Sequence, residues 1–260
     1  MDRLMCINRS IIAKKAFRCQ IGLHQLECAP MLSYAPVTSR PLALARSTES
    51  VAYGLLALAL GWTALGVFLG MRFAPALLSS GVHVVLLVAE LVLVFTARLW
   101  MDRAPLNYLL FALFPVLSGI TVTPYLLFVL AGYANGGTIL LNAAVATGFM
   151  AAAAAVFART TPWDLGVLGR GLFFALLGLV AFALLQIFVP ALRTTRAELM
   201  ISGAGIAIFG LFTAYDLQRI SALGRAGANP FLLALSLYLD IFNLFLYILR
   251  FMLAFSGNRR

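Results

Sequence analysis

The chain has 260 residues, of which 63% are hydrophobic and only 11% charged, with 19 Lys and Arg against 9 Asp and Glu. A mean hydropathy of +0.99 is too apolar for a water-soluble body of this size, so the composition implies a polytopic membrane protein. The formal net charge of +10 does not point to nucleic acid, because the arginines stand singly between apolar runs; such scatter reads as orientation information and contact with anionic headgroups.

Residues 1–50 form a basic extension, with seven Lys or Arg against three acids and all three cysteines, Cys6, Cys19 and Cys28. The cysteines lack the close pairing of a zinc site and the even count of a disulfide framework. The composition fits a mitochondrial transit peptide or a poorly ordered tail, with Met31 as a second start, and it lacks the apolar core and cleavage site of a secretory signal.

Residues 51–260 hold seven apolar runs of roughly the 20 residues that a spanning helix needs. They are Val51–Met71, Ala76–Trp100, Leu106–Gly132, Thr138–Ala158, Pro162–Pro190, Arg196–Leu223 and Pro230–Phe255. Short links and the absence of barrel-like alternation predict an all-α membrane protein, a seven-transmembrane-helix bundle. Three helix starts carry capping signals: Thr161 followed by Pro162, Trp163 and Asp164; Thr195 with Glu198; and Asn229 before Pro230. With the amino terminus inside, 13 of the 19 Lys and Arg fall on the inner side, which places the link between the last two helices there. The expected membrane is the bacterial inner membrane, with the mitochondrial inner membrane as the alternative.

Two aspartates sit in apolar surroundings near the end of the chain, Asp216 in the sixth run and Asp240 in the seventh. An ionisable group at membrane depth marks a functional site by default, because it costs several kcal/mol unless it faces a cavity or a partner. At 1.5 Å per residue, Asp240 lies about 15 Å beyond Pro230 and Asp216 about 10 Å before Leu223, so the two can meet at similar depth. The blander alternative pairs Asp216 locally with Arg219, three residues on. Ser236, Asp240, Asn243, Tyr247 and Arg250 share one face of the last helix. Facing carboxyls hold one proton between them and titrate as a unit, and once ionised they offer hard oxygens to calcium. Glu90 is the single acid of the second run, seven residues beyond His83.

Other chemistries fit less well. Both lysines, Lys14 and Lys15, precede the spans, so no helix offers the amine of a retinal Schiff base. Ser118-Gly119 lacks the flanking motif of a serine protease and reads as a small-residue packing contact. An intramembrane aspartyl protease would account for Tyr215-Asp216, but Leu237-Tyr238-Leu239 stands where such enzymes carry a glycine-rich lead.

The stretches AYDLQRI (Ala214–Ile220) and SLYLDIFNLFLYILRF (Ser236–Phe251) resemble the carboxy-terminal signature of the transmembrane Bax inhibitor motif family. Ala89–Thr121, with SGIT at its end, resembles that family's second and third helices. The resemblance implies a bundle with the last helix central and a pH-sensitive calcium leak, not an enzyme, controlled by an aspartate pair matching Asp216 and Asp240. These two would also be the transient calcium ligands, with no resident cofactor. It matches Glu90 to an acid along the ion path, and Asn243 lies on the same polar seam as Asp240. In some members an arginine of the second helix latches the pair; Met101 stands at that position here, so Arg98 or Arg103 would have to serve. The implied partners are the lipid bilayer and calcium ions, not nucleic acid. The alternative is a non-transporting regulator that binds a membrane protease or a stress or death-pathway protein.

Overall fold

The computed structural model describes residues 48–79, 81–192 and 194–256, so the basic extension over 1–47 and its cysteines lie outside the described residues. In chain order the helices are α1 (Thr48–Arg72), α2 (Ala74–Ser79), α3 (Val82–Phe95), α4 (Ala97–Trp100), α5 (Leu106–Gly132), α6 (Gly136–Thr160), α7 (Leu168–Phe188), α8 (Thr195–Arg225) and α9 (Pro230–Ser256). Two 3-10 turns, Leu165–Val167 and Pro190–Leu192, flank α7, and no strand occurs among the described residues. Among the described residues six helices are long and apolar enough to cross a membrane: α1, α5, α6, α8, α9 and the Leu165–Gln186 segment that includes most of α7. Large apolar side chains cover the outside, with Phe95 84% and Phe149 75% exposed, a surface suited to lipid and not to water. The chain is an integral membrane protein.

The second expected span departs from expectation. In place of one helix over Ala76–Trp100 there are three pieces, the longest of them the 14 residues of α3. The first interruption lies between Ser79, where α2 ends, and Gly81, which precedes α3, residue types that weaken a helix. The second falls at Thr96, whose Oγ1 donates to Val92 O at 2.6 Å. There the indole of Trp100 donates to Leu93 O at 3.3 Å, supplying a carbonyl that the break would leave short of a donor.

Two expected helix starts shift as well. Asp164, not Thr161, caps the turn before α7, its Oδ1 accepting from Gly166 N at 2.8 Å. Thr194, not Thr195, caps α8, its Oγ1 accepting from Ala197 N at 3.2 Å. The third start holds: Asn229 Oδ1 accepts from Phe231 N at 2.8 Å.

Helices α1 and α5 run parallel in close contact. Gly66 lies against Val116 and Gly119, and Gly70 against Thr123, so the residue numbers rise together along both helices. A Cβ on Gly119 would fall 2.2 Å from Thr63 O, and one on Gly66 would fall 2.2 Å from Val116 O. Small residues here let two backbones approach, as in other membrane helix pairs. Because parallel neighbours must be joined by a return path, residues 73–105 travel back from the end of α1 to the level of its start.

Helix α9 packs against α1, α5, α6 and α8. Half of its most apolar 18-residue window is buried, against 11% for the Leu165–Gln186 segment. Its first half joins an apolar cluster with Trp100, Met101 and Phe111 through Phe231, Leu237 and Tyr238. Its second half joins another with Val129, Phe209 and Ala143 through Leu244, Ile248 and Leu249. Asp240 lies between these two clusters.

Replacing Gly119 by Val is expected to destabilise the folded protein by about 1–3 kcal/mol through overpacking. Gly61→Val serves as the control, since a Cβ there meets nothing within 4 Å. Thermal unfolding in detergent should show a lower midpoint for the first variant and little change for the second; equal midpoints would remove the close α1–α5 contact as a determinant of stability.

Candidate functional site: a carboxylate pair between the last two helices

Helices α8 and α9 are antiparallel neighbours joined by a short link that contains Gly227, which adopts φ 77°. Asn229 anchors this link, its Nδ2 donating to Met101 O at 2.9 Å and to Asp102 Oδ1 at 2.6 Å. The hairpin brings Asp216 and Asp240 to the shared interface, only 3% and 7% exposed. The two carboxyls are neighbours across this interface, Asp216 being bonded to Ser236 one turn before Asp240.

Each carboxyl has a different set of neighbours. Ser236, one turn before Asp240, donates its hydroxyl to Asp216 Oδ2. Asp216 Oδ1 accepts from Arg219 Nη1 at 3.5 Å, a long contact to a side chain that is 42% exposed and therefore screened by solvent. Asp240 Oδ2 is buried with no hydrogen-bond partner among the described residues. Such a group is a costly orphan unless it holds a proton, a water or an ion.

The other residues singled out from sequence fall elsewhere. Asn243 turns back on its own helix, its Nδ2 donating to Leu239 O at 2.7 Å. Arg98 and Arg103 are exposed, and the cation at the pair is Arg219 of α8. Met101, at the position of the expected latch, is fully buried in the apolar cluster. Glu90 lies beside the hydroxyls of Ser118 and Thr121, yet neither its Oε1 nor Thr121 Oγ1 has an aligned hydrogen-bond partner. The charged neighbours of Asp240 are Asp216 and Arg219, and Glu90 is not among them. Tyr238, fully buried, shares a 2.7 Å hydrogen bond with Thr63 of α1. No group of three or more His, Cys, Asp or Glu gathers among the described residues, so the pair presents two carboxylates and not a closed cation cage.

A second charged cluster lies towards the far ends of α8 and α9, and the sequence reading missed it. Arg250 Nε donates to Glu198 Oε2 at 2.5 Å and its Nη2 to Glu198 Oε1 at 2.9 Å, a two-point contact. Arg250 Nη2 also donates to Gln186 Oε1 at 2.9 Å, tying in α7. Glu198 had been assigned to a capping box; its spacing from Thr195 fitted, but the side chain spans to α9 instead.

Residues 46–257 match the model of the family described as inhibitor of apoptosis-promoting Bax1. The chain belongs to this family. A Campylobacter jejuni protein is 34% identical over 208 residues, which is 79% of this chain and 87% of that one. The Escherichia coli inner membrane protein YbhL is 32% identical over 67% of this chain and 74% of its own. Protein LIFEGUARD 4 of Arabidopsis thaliana is 32% identical over 68% and 69%. The family resemblance read from Ala214–Ile220 and Ser236–Phe251 is therefore correct.

Glu198→Gln and Arg250→Gln are each expected to lower the unfolding midpoint in detergent. Since both side chains are less than one-third exposed, at 26% and 30%, a double-mutant cycle should return a coupling of about 1–3 kcal/mol. Strict additivity would show that the contact contributes nothing to the closed bundle.

Proposed function

We propose that the protein is a pH-sensitive calcium leak of the bacterial inner membrane, gated by the Asp216–Asp240 pair in a seven-crossing bundle with α9 at its centre. The observation that carries this reading is the burial of two neighbouring carboxyls at the α8–α9 interface, Asp216 bonded to Ser236 one turn before Asp240. Two like charges so close together in a poorly hydrated site are held cheaply only when one proton is shared. Loss of that proton leaves two anions facing each other, which favours either their separation or the entry of a cation. Protonation and ion passage are thereby linked through one pair of side chains.

The parallel packing of α1 and α5 supports seven crossings, because residues 73–105 must return between them. The contacts of α9 with α1, α5, α6 and α8 support its central place. Inner-membrane residence is supported by the similarity to YbhL. A transport role is preferred to catalysis because Leu237, Tyr238 and Leu239 before Asp240 continue the helix without a break. Peptide cleavage would need that backbone opened beside the acid.

Reconstituted in liposomes, the protein is expected to pass calcium at a rate that changes with pH. Asp216→Asn and Asp240→Asn should each abolish most of that pH response, measured with a trapped calcium indicator. Equal flux and equal pH response in all three proteins would remove the pair from the mechanism, and cleavage of a membrane substrate lost in both variants would favour the protease reading instead.

A further inference from the structure

The link between α6 and α7 forms, with the last turns of α8, an open cavity beside the Asp216–Asp240 interface, with Arg219 common to both. Its volume is about 540 Å³ and its walls include Trp163, Asp164, Tyr215, Gln218, Arg219 and Leu223. That size lies within the usual range of small-molecule sites.

The cavity is held open by specific bonds. Gln218 Oε1 accepts from Leu165 N at 2.8 Å and its Nε2 donates to Trp163 O at 2.9 Å, so the backbone on both sides of Asp164 is tied to α8. Asp164 is fixed in turn by the 2.8 Å bond from Gly166 N to its Oδ1, a bond in which Oδ2 takes no part. The site therefore presents an anchored carboxylate and a guanidinium on a single apolar-walled hollow. Trp163 is 71% exposed at its rim, an indole placed as interfacial tryptophans are at headgroup depth.

We propose that this cavity binds a phosphoethanolamine group, a phosphate joined to a primary ammonium, as a zwitterionic phospholipid headgroup presents it. Arg219 receives the phosphate, since a planar guanidinium that makes only one long bond to Asp216 keeps further N–H donors for a second anion. Asp164 receives the ammonium, and the faces of Trp163 and Tyr215 add cation–π attraction for the same charge. Leu223 and Pro162 offer apolar surface to the glycerol end. The charge pattern also selects against other headgroups: a purely anionic one meets the Asp164 carboxylate, and a quaternary ammonium has no N–H to donate to it. The site shares Arg219 with the carboxylate pair, but its occupancy is read by lipid retention and does not require ion flux.

The test is native mass spectrometry of the full chain in detergent with added phosphatidylethanolamine, phosphatidylglycerol or phosphatidylcholine, repeated with soluble phosphoethanolamine as competitor. Phosphatidylethanolamine should be retained in preference to the other two. Asp164→Asn and Arg219→Gln should each weaken its binding about tenfold, the size expected for one charge-assisted contact. Competition by phosphoethanolamine with the same dependence on both variants would place recognition in the headgroup alone; loss of lipid binding in the variants without such competition would assign the ligand to the intact lipid. Should Arg219→Gln unfold for want of its contact to Asp216, Asp164→Asn decides alone, because an asparagine keeps the oxygen that caps Gly166. Equal retention of all three lipids, or binding unchanged in Asp164→Asn, would overturn the site.

Discussion

A carboxylate in hydrocarbon costs about 2.5–3.5 kcal/mol even on lenient scales, so a helix carrying one must hide it from lipid. Helices α8 and α9 each carry one, and each hides it against the other. Every other requirement of the bundle follows from keeping that interface closed. Apolar clusters on either side of Asp240 seal it along the α9 axis, one built on Trp100, Met101 and Phe111 and one on Val129 and Phe209. Helices α1, α5 and α6 supply much of the covering surface, because α9 touches all three.

That enclosure needs a close-packed wall, and α1 and α5 provide it. Glycines 66, 70 and 119 remove the side chains that would keep the two backbones apart. The hydroxyls that remain between these helices bond locally or to the core: Thr123 donates to Gly119 O at 2.8 Å, and Thr63 reaches Tyr238 of α9. A single tyrosine hydroxyl thus links the α1–α5 wall to the helix that carries Asp240. Tyr238 also stacks on Phe242 and meets Phe114 edge-on, so its ring is held by one neighbour on α9 and one on α5.

The long helices were legible because lipid demands long apolar runs, and the observed Leu106–Gly132 matches its run at both ends. The second run was misread for the same reason. Hydropathy is blind to Ser79-Ser80-Gly81 and to a threonine that bonds its own backbone, so Ala76–Trp100 looked continuous. The approach of Asp216 to Asp240 could be reckoned from rise per residue, since a short antiparallel link fixes the common origin. The local partner Arg219 was also readable, three residues along the helix. Arg250 with Glu198 was not, because the two are separated by 52 residues and Glu198 fitted a capping pattern equally well. Only the tertiary fold decides between a cap and a bridge.

The two charged sites on the α8–α9 hairpin differ in kind, and the difference bears on which one can respond. Glu198 and Arg250 carry opposite charges and engage through two contacts, so neither gains by changing its protonation near neutral pH. Asp216 and Asp240 carry the same sign when ionised, and one oxygen of Asp240 has no hydrogen-bond partner among the described residues. An opposite-sign pair fastens its helices together over a wide range of conditions. A like-sign pair holds only while a proton or a cation stands between its members, so the same hairpin is fixed at one end and conditional near its middle. Under the proposed gating, a change at the carboxyls would act against an anchored α8–α9 contact, which favours a local widening about Asp240 over separation of the whole hairpin.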